Sequence, residues 1–359
     1  MFNPKRLELA RKRRSLTKKK ISEKLNLSIQ TLSEWEAGNT VPKFENAVEL
    51  SRVLDFPIEF FYNEATHNIE LDKVSFRALT KMKAYQRDTA LACGELALIL
   101  NEWIETKFEL PRIDIPEFAG KEPEQAALLL REEWNIEEDY IENAIYLLEK
   151  HGVRVYSMSE DCRDFDAFST WYDEKPFVFL NTKKSAERSR FDAMHELGHL
   201  VLHYSCSFRD KKIEDEANMF ASCMLMPKES ILEFKYIEPT IENFIELKEN
   251  WKVSLKALIY RYNQLGLLSE WINRVLNIDM NKRGHNVNEP SPIERETSYI
   301  LSKIFEVLKE DNIYVRDIVN EIHIPSSEIN NMTFNIFPLN NNNITVLRES
   351  KTKLSLVDD

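Results

Sequence analysis

The run Arg190-Phe191-Asp192-Ala193-Met194-His195-Glu196-Leu197-Gly198-His199-Leu200-Val201-Leu202-His203 sets two histidines four residues apart, with a glutamate directly after the first. Positions four apart differ by about 40° around a helix, so both imidazoles face one way, one turn apart. Two neutral imidazole nitrogens so placed hold one Zn2+. Glu196 falls on the neighbouring face, close enough to take a proton from a water at the metal without being a ligand. Ala193, Met194, Leu197, Leu200, Val201 and Leu202 predict that this helix is buried, where histidines and a glutamate need partners. A metal supplies them; the competing reading is a pair of surface histidines on an amphipathic helix. Gly198 is small enough to let another segment come close.

A catalytic zinc takes a third protein ligand and keeps one position open. The nearest candidates lie on the next expected helix, Glu214-Asp215-Glu216-Ala217-Asn218. Glu214 and Asn218 share a face, so one can ligate while the other hydrogen-bonds a ligand imidazole. Glu216 is the rival, about 200° around the helix from Glu214. Both cannot face the metal, and Glu214 is preferred. An acidic first turn favoured by the helix dipole is the plainer account of this cluster. His203 extends the motif by one turn and is read as a polar contact. Tyr204 is a weaker candidate for polarising a substrate carbonyl. Cys206 and Cys223 are read as packing residues.

The expected fold class around this motif is mainly α, with a small sheet (α+β). The 359 residues suggest two or three domains, and 43% hydrophobic residues are enough to build cores. Seven glycines argue against glycine-lined nucleotide folds. Four scattered cysteines without CxxC spacing, no apolar signal core and no membrane-length apolar run point to the cytoplasm and away from membranes. Short helices are expected over Leu7 to Tyr62, with Thr17 and Ser28 as N-caps and a tight turn at Asn26. One long helix is expected over Thr80 to Lys107, and others over Glu122 to Trp134 and Glu137 to His151. Val153 to Tyr156, Phe168 to Trp171 and Phe177 to Leu180 read as strands, the last two joined by a turn at Asp173 to Pro176. Helices follow over Ala186 to Tyr204, Ile213 to Met226 and Thr240 to Leu265. Asn277 to Glu294 reads as a linker, and two or three helices follow from Ile293. No internal repeat is legible.

Charge is unevenly spread. Met1 to Lys24 holds ten Lys/Arg against two acids, or +8, so the rest of the chain carries −12 − 8 = −20. A basic end on an acidic body is the footprint of a module that meets nucleic acid, or else a solvated basic helix.

The Arg190 to His203 run, Glu214 to Ala221 and Leu225-Met226-Pro227, together with Phe177 to Asn181 and Trp251-Lys252-Val253-Ser254, resemble the ImmA/IrrE family of bacterial zinc metallopeptidases over roughly residues 76–268. The resemblance implies a zincin-like domain with a small sheet. It also implies His195 and His199 as zinc ligands, Glu196 as general base, and a carboxylate in Glu214 to Glu216 as the third ligand. Known members cleave a partner repressor and so switch on prophage, mobile-element or stress-response genes.

The first sixty residues resemble an Xre/Cro-type helix-turn-helix, with Ser28 to Gly38 as recognition helix. That resemblance implies that Ser28, Gln30, Thr31 and Ser33 face the major groove, and that Lys18, Lys19 and Arg14 touch phosphate. Glu34 and Glu36 would repel the DNA backbone if they faced it. The expected organisation is a helix-turn-helix domain over residues 1–65, a peptidase domain over residues 66–275, and a linker with a helical module of unknown role over residues 276–359. The expected activity is zinc-dependent endoproteolysis of a repressor or antitoxin-like protein. Double-stranded DNA is bound through the N-terminal domain, with a homodimer as one expected assembly. In the alternative, the chain is a transcriptional regulator or antitoxin component whose metal is structural or sensory. An extended substrate is expected to pair with the strand ending at Phe179-Leu180-Asn181.

Overall fold

Helix α1 (Pro4–Arg13) starts under an Asn3 cap that accepts the Lys5 N–H. Thr17 accepts the Lys20 N–H to start α2 (Lys18–Leu25), and Ser28 accepts the Thr31 N–H to start α3 (Ile29–Glu36). Between them Asn26 takes a left-handed φ of 51°, a conformation its short polar side chain tolerates. Helix α4 (Phe44–Leu54) and a 3₁₀ turn (Ile58–Tyr62) complete this unit around buried Leu7, Ile21, Leu32, Trp35, Leu50 and Phe60. The structure, a computed structural model, describes residues 1–64, 67–69, 74, 83–136, 140–158, 166–204, 211–336 and 352–353. The expectations for residues 80–82, Cys162 and Cys206 fall outside them, as does the loop between Tyr204 and Lys211.

The long helix α5 (Ala84–Lys107) is buried on nearly every face from Thr89 to Ile104, as a helix that serves as a spine must be. The N-terminal unit docks on it: Thr89 Oγ1 donates to the Lys12 carbonyl at 3.1 Å. A short strand β1 (Phe108–Glu109) leads to α6 (Pro123–Glu133) and α7 (Ala144–Lys150). Helix α7 starts later than the expected Glu137, because Asn143 caps it by accepting the Tyr146 N–H; residues 137–139 lie outside the description.

Strands β2 (Arg154–Met158), β3 (Ala167–Tyr172) and β4 (Lys175–Asn181) form a sheet in the order β2-β4-β3. Asp173 and Glu174, with φ of 50° and 58°, make the two-residue hairpin between β3 and β4. Strand β4 is central, parallel to β2 and antiparallel to β3, so its backbone is taken on both sides. The expectation that a substrate pairs with β4 is therefore wrong. The outer strands are β2 and β3, and on β3 Val74 makes an isolated antiparallel bridge to Thr170. Alternation along β3 turns Phe168 toward Gly94 of α5 and Ser169 toward the opposite face.

That opposite face is covered by α8 (Ala186–Leu202), started by Ser185, and α9 (Lys211–Leu225) packs against α8. Helices α10 (Lys228–Glu233), α11 (Ile241–Trp251), α12 (Leu255–Gln264) and α13 (Glu270–Lys282) follow. Helix α13 occupies the first part of the expected linker and runs through residue 276. Its Leu276 and Met280 are buried, but intervening Asn, Arg and Asp residues hide the periodicity. Glu289, Ile293 and Glu296, beyond α13, are pinned to the body. Lys248, fully buried, meets Glu187 at 3.4 Å and Glu289 at 3.1 Å, the Ile293 N–H donates to Glu187, and Arg190 pairs with Glu296. Helices α14 (Tyr299–Glu310), α15 (Val315–Ile322) and α16 (Ser326–Met332) follow. A two-residue strand β5 (Thr352–Lys353) pairs with β1. No helix among the described residues is long and apolar enough to cross a membrane.

The α2–α3 junction recurs at α15–α16, where His323 (φ 58°) takes the place of Asn26. Ile21, Leu25, Leu27 and Leu32 correspond there to Ile318, Ile322, Ile324 and Ile329. Ile21 and Ile318 are the same residue and the other three pairs share apolar character alone, which is why no repeat shows in the sequence. In the second copy, Glu328 stands where Thr31 stands in the first, and it turns onto α1. Arg13 Nε donates to Glu328 at 2.7 Å, and Arg14 bonds its other oxygen. On the far side of the module, buried Glu149 of α7 accepts the Ser298 hydroxyl and the N–H groups of Tyr299 and Ile300, capping α14.

Replacing Glu328 by Ala removes the buried carboxylate that Arg13 and Arg14 share, a change worth about 3–5 kcal/mol. Urea unfolding of the full chain should show a loss of that order; a loss under ~1 kcal/mol would mean that the Glu328 ion pairs do not hold α16 on α1. Burial pushes the Glu149 carboxyl up to about 7, against the opposing hydrogen bonds from Ser298, Ile300 and Tyr299. Its folded value lies above its unfolded value, so the folded chain binds the extra proton between about pH 4.5 and 7. The contribution is complete below that window and is lost as pH rises through it. The Glu149→Gln variant should unfold with a flatter pH dependence across this range, and parallel wild-type and variant curves would refute the assignment.

Candidate metal centre

Helices α8 and α9 touch at Gly198. A Cβ built there would lie 3.0 Å from the Phe220 ring and 3.3 Å from the Ala217 Cα, so α9 can come this close only because residue 198 has no side chain. The contact lays the first turns of α9 across the histidine face of α8. His195, Glu196 and His199 are each 1% exposed.

The ligating atoms of His195, His199 and Glu214 lie within 4.8 Å of one another. The two Nε2 atoms are 3.1 Å apart, and each is 3.5 Å from a Glu214 oxygen. Glu214 Oε2 is buried and has no hydrogen-bond partner among the described residues. Two imidazole nitrogens and a carboxylate oxygen converging in this way fit a zinc ion held by three protein ligands. They do not fit the all-oxygen shells of calcium or magnesium. Burial drives His199 down to about 4, with Glu214 opposing the shift, so the imidazole is neutral and able to ligate. Burial alone would raise Glu214, but the two imidazoles facing it outweigh that and hold the carboxyl well below the usual range.

Asn218 Oδ1 lies 3.1 Å from His195 Nδ1, so this nitrogen donates and Nε2 keeps its lone pair. Glu216 is directed elsewhere, to His203 Nε2 at 3.0 Å and to Lys212. Ser169 of β3 donates to Glu196 Oε2 at 2.7 Å. Sequence reasoning missed Ser169, because nothing local links a strand residue to a helix residue 27 positions later. Tyr204 is 46% exposed, with its ring edge-on to Trp171 at 5.0 Å. Cys223 is buried and its thiol is pushed up to about 11 by desolvation, which makes it inert.

In the N-terminal unit Ser28, Gln30 and Lys19 are exposed and Thr31 and Ser33 half-buried. The Ser28 hydroxyl is spent on the Thr31 N–H and hydroxyl. Glu36 faces inward and pairs with Arg11 and, at 3.1 Å, with Lys18; Glu34 accepts from Asn39. Glu36 is thus paired with two cations, whereas the Asn39 amide brings no compensating charge to Glu34. Arg14, expected at phosphate, instead bonds Glu328, the Leu54 carbonyl and Asp55.

Residues 148–263 match the family described as IrrE N-terminal-like domain, one of the M78 peptidases, and residues 7–61 match a helix-turn-helix family. No curated protein matches the chain. The chain thus joins an Xre-type helix-turn-helix domain to an IrrE-like metallopeptidase-family domain. The first implies DNA binding, and the second a protein substrate and a divalent cation, typically zinc. The His195–His199–Glu214 cluster lies inside the matched range.

Proposed function

We propose that the chain is a zinc-dependent endopeptidase that cleaves one regulatory protein, a repressor or antitoxin-like partner, and is brought to its operator by the helix-turn-helix. The observation that carries this reading is the buried Glu196 carboxylate, next in sequence to His195 and oriented by Ser169. A purely structural metal site has no use for it. His195, His199 and Glu214 hold the metal, and zinc bound there supplies Lewis acidity toward the scissile carbonyl and toward water. Glu196 accepts the proton of the attacking water and returns it to the leaving amine. Ser169 holds the carboxylate in place through this transfer. Because β3 carries Ser169, an extended peptide added to the outer edge of β3 runs past the base. Val74 already bridges Thr170 on that edge, so the substrate competes with it.

Gln30, exposed on α3, is the side chain best placed to read a base edge, and Lys19, 72% exposed, to meet phosphate. Two copies would read a two-fold operator. A regulator with a structural or sensory metal remains the second reading, favoured by the near-complete burial of the histidine pair.

Glu196→Gln should abolish cleavage, by at least about 100-fold, with zinc content unchanged. Terminal-amine mass spectrometry of cells expressing wild type or variant reads this. If no new protein N-terminus depends on Glu196, the chain is not a protease. On a selected operator, Gln30→Ala should cost about 1–3 kcal/mol of discrimination at one base pair. Lys19→Ala should weaken binding to all sequences and lower the salt slope by about one. Fluorescence anisotropy at several salt concentrations separates the two effects, and unchanged discrimination in Gln30→Ala would remove Gln30 of α3 as a base reader.

A further inference from the structure

Three side chains beyond the donor cluster form a continuous line. His199 Nδ1 lies 3.2 Å from His203 Nδ1, and His203 Nε2 lies 3.0 Å from Glu216 Oε2. His203 is 3% exposed and closes α8, its own N–H donating to the His199 carbonyl, so the ring has little freedom to leave. Glu216 comes from α9, two residues beyond Glu214, and is itself braced by Lys212 at 3.4 Å.

The direction of each hydrogen bond follows from chemistry. An ionised carboxylate only accepts, so His203 Nε2 must donate to Glu216. A neutral imidazole carries one N–H, which leaves His203 Nδ1 as an acceptor. The facing His199 Nδ1 must then carry the proton, and the His199 lone pair is left on Nε2, the atom directed at His195 and Glu214. We propose that His203 and Glu216 are a positioning pair that fixes the metal-binding tautomer and ring orientation of His199, as Asn218 does for His195. This deepens the metallopeptidase reading and rests on it. Without the pair, His199 is free to place its proton on Nε2 or to turn its ring, and in either state it does not ligate. Outer hydrogen-bond partners of this kind typically set metal affinity by 10–100-fold.

The test uses the full-length chain stripped of metal by a chelator and titrated with Zn2+ against a chromophoric competitor, then with Co2+ by electronic absorption. His203→Leu removes the acceptor and should weaken zinc binding by about 10–100-fold and alter the cobalt spectrum. Glu216→Leu should do the same to a lesser degree. Glu216→Gln retains a carbonyl oxygen to accept from His203 and should restore near-wild-type affinity and spectrum. Circular dichroism and urea midpoints of the metal-free variants report the fold itself. If His203→Leu does not fold, the comparison of Glu216→Leu with Glu216→Gln on the outer, partly exposed partner carries the test. Wild-type affinity and an unchanged cobalt spectrum in both leucine variants overturn the proposal while leaving the metal centre intact. A wild-type chain that takes up neither zinc nor cobalt overturns the proposal and the reading beneath it together.

Discussion

The contact between α8 and α9 at Gly198 is the constraint on which the site depends. Helices with ordinary side chains between them stand about 8–10 Å apart, and a missing Cβ lets the backbones close further. Here Ala217 and Phe220 fill the space a side chain at 198 would need. Carboxylate and amide side chains from α9 are short, so they reach the α8 imidazoles only at that approach. Glu214, Glu216 and Asn218 then meet three different places on α8 and its C-cap: the pair of metal-facing nitrogens, the His203 ring and the rear of His195. One helix–helix contact thereby positions both the donor set and the hydrogen bonds behind it.

Charge in this chain does two separate jobs. The +8 of the first 24 residues looks like a surface made for DNA, but the arginines are turned inward. Arg6 is buried over the Phe60 ring and pushed down to about 10 by desolvation, with Glu102 opposing. Arg11 holds Glu36, and Arg13 and Arg14 hold Glu328. Lys5, Lys19, Lys20 and Lys24 remain exposed. The division follows from the side chains: a planar guanidinium pairs with a carboxylate at two points and is weakly hydrated, whereas an ammonium keeps its water. The acidic remainder of the chain is used in the same way. Buried Glu149, Glu187 and Glu328, with half-buried Glu289 and Glu296, tie the C-terminal segment to the body and to the N-terminal unit, so a stretch that reads in part as a polar linker is anchored.

Much of the local structure was legible. Thr17 and Ser28 cap because a side-chain oxygen satisfies an N–H three residues on, a relation contained within a short stretch of chain. The helix over Phe44 to Leu54 and the strand pair around Asp173-Glu174 were readable for the same reason. Helix α13 was not: only Leu276 and Met280 need to be buried, and the polar residues between them read as linker. The position of β4 was also hidden, since a strand flanked on both sides and a strand at the edge differ in their neighbours and not in their own composition. The recurrence of the α2–α3 junction at α15–α16 is hidden in the sequence because it repeats a backbone conformation and apolar positions rather than most residue identities.

What the sequence determined by itself is therefore whatever depends on neighbours a turn or less apart: the caps, the helical periods, and the shared face of His195 and His199. Only the tertiary structure decided between Glu214 and Glu216 as the group facing the histidine pair, placed Ser169 against Glu196, and turned Glu328 onto two arginines more than three hundred residues earlier. The physical reason is that spacing along a helix is set by the covalent chain, whereas the partner of a buried polar group is set by which surfaces pack closely enough to exclude water.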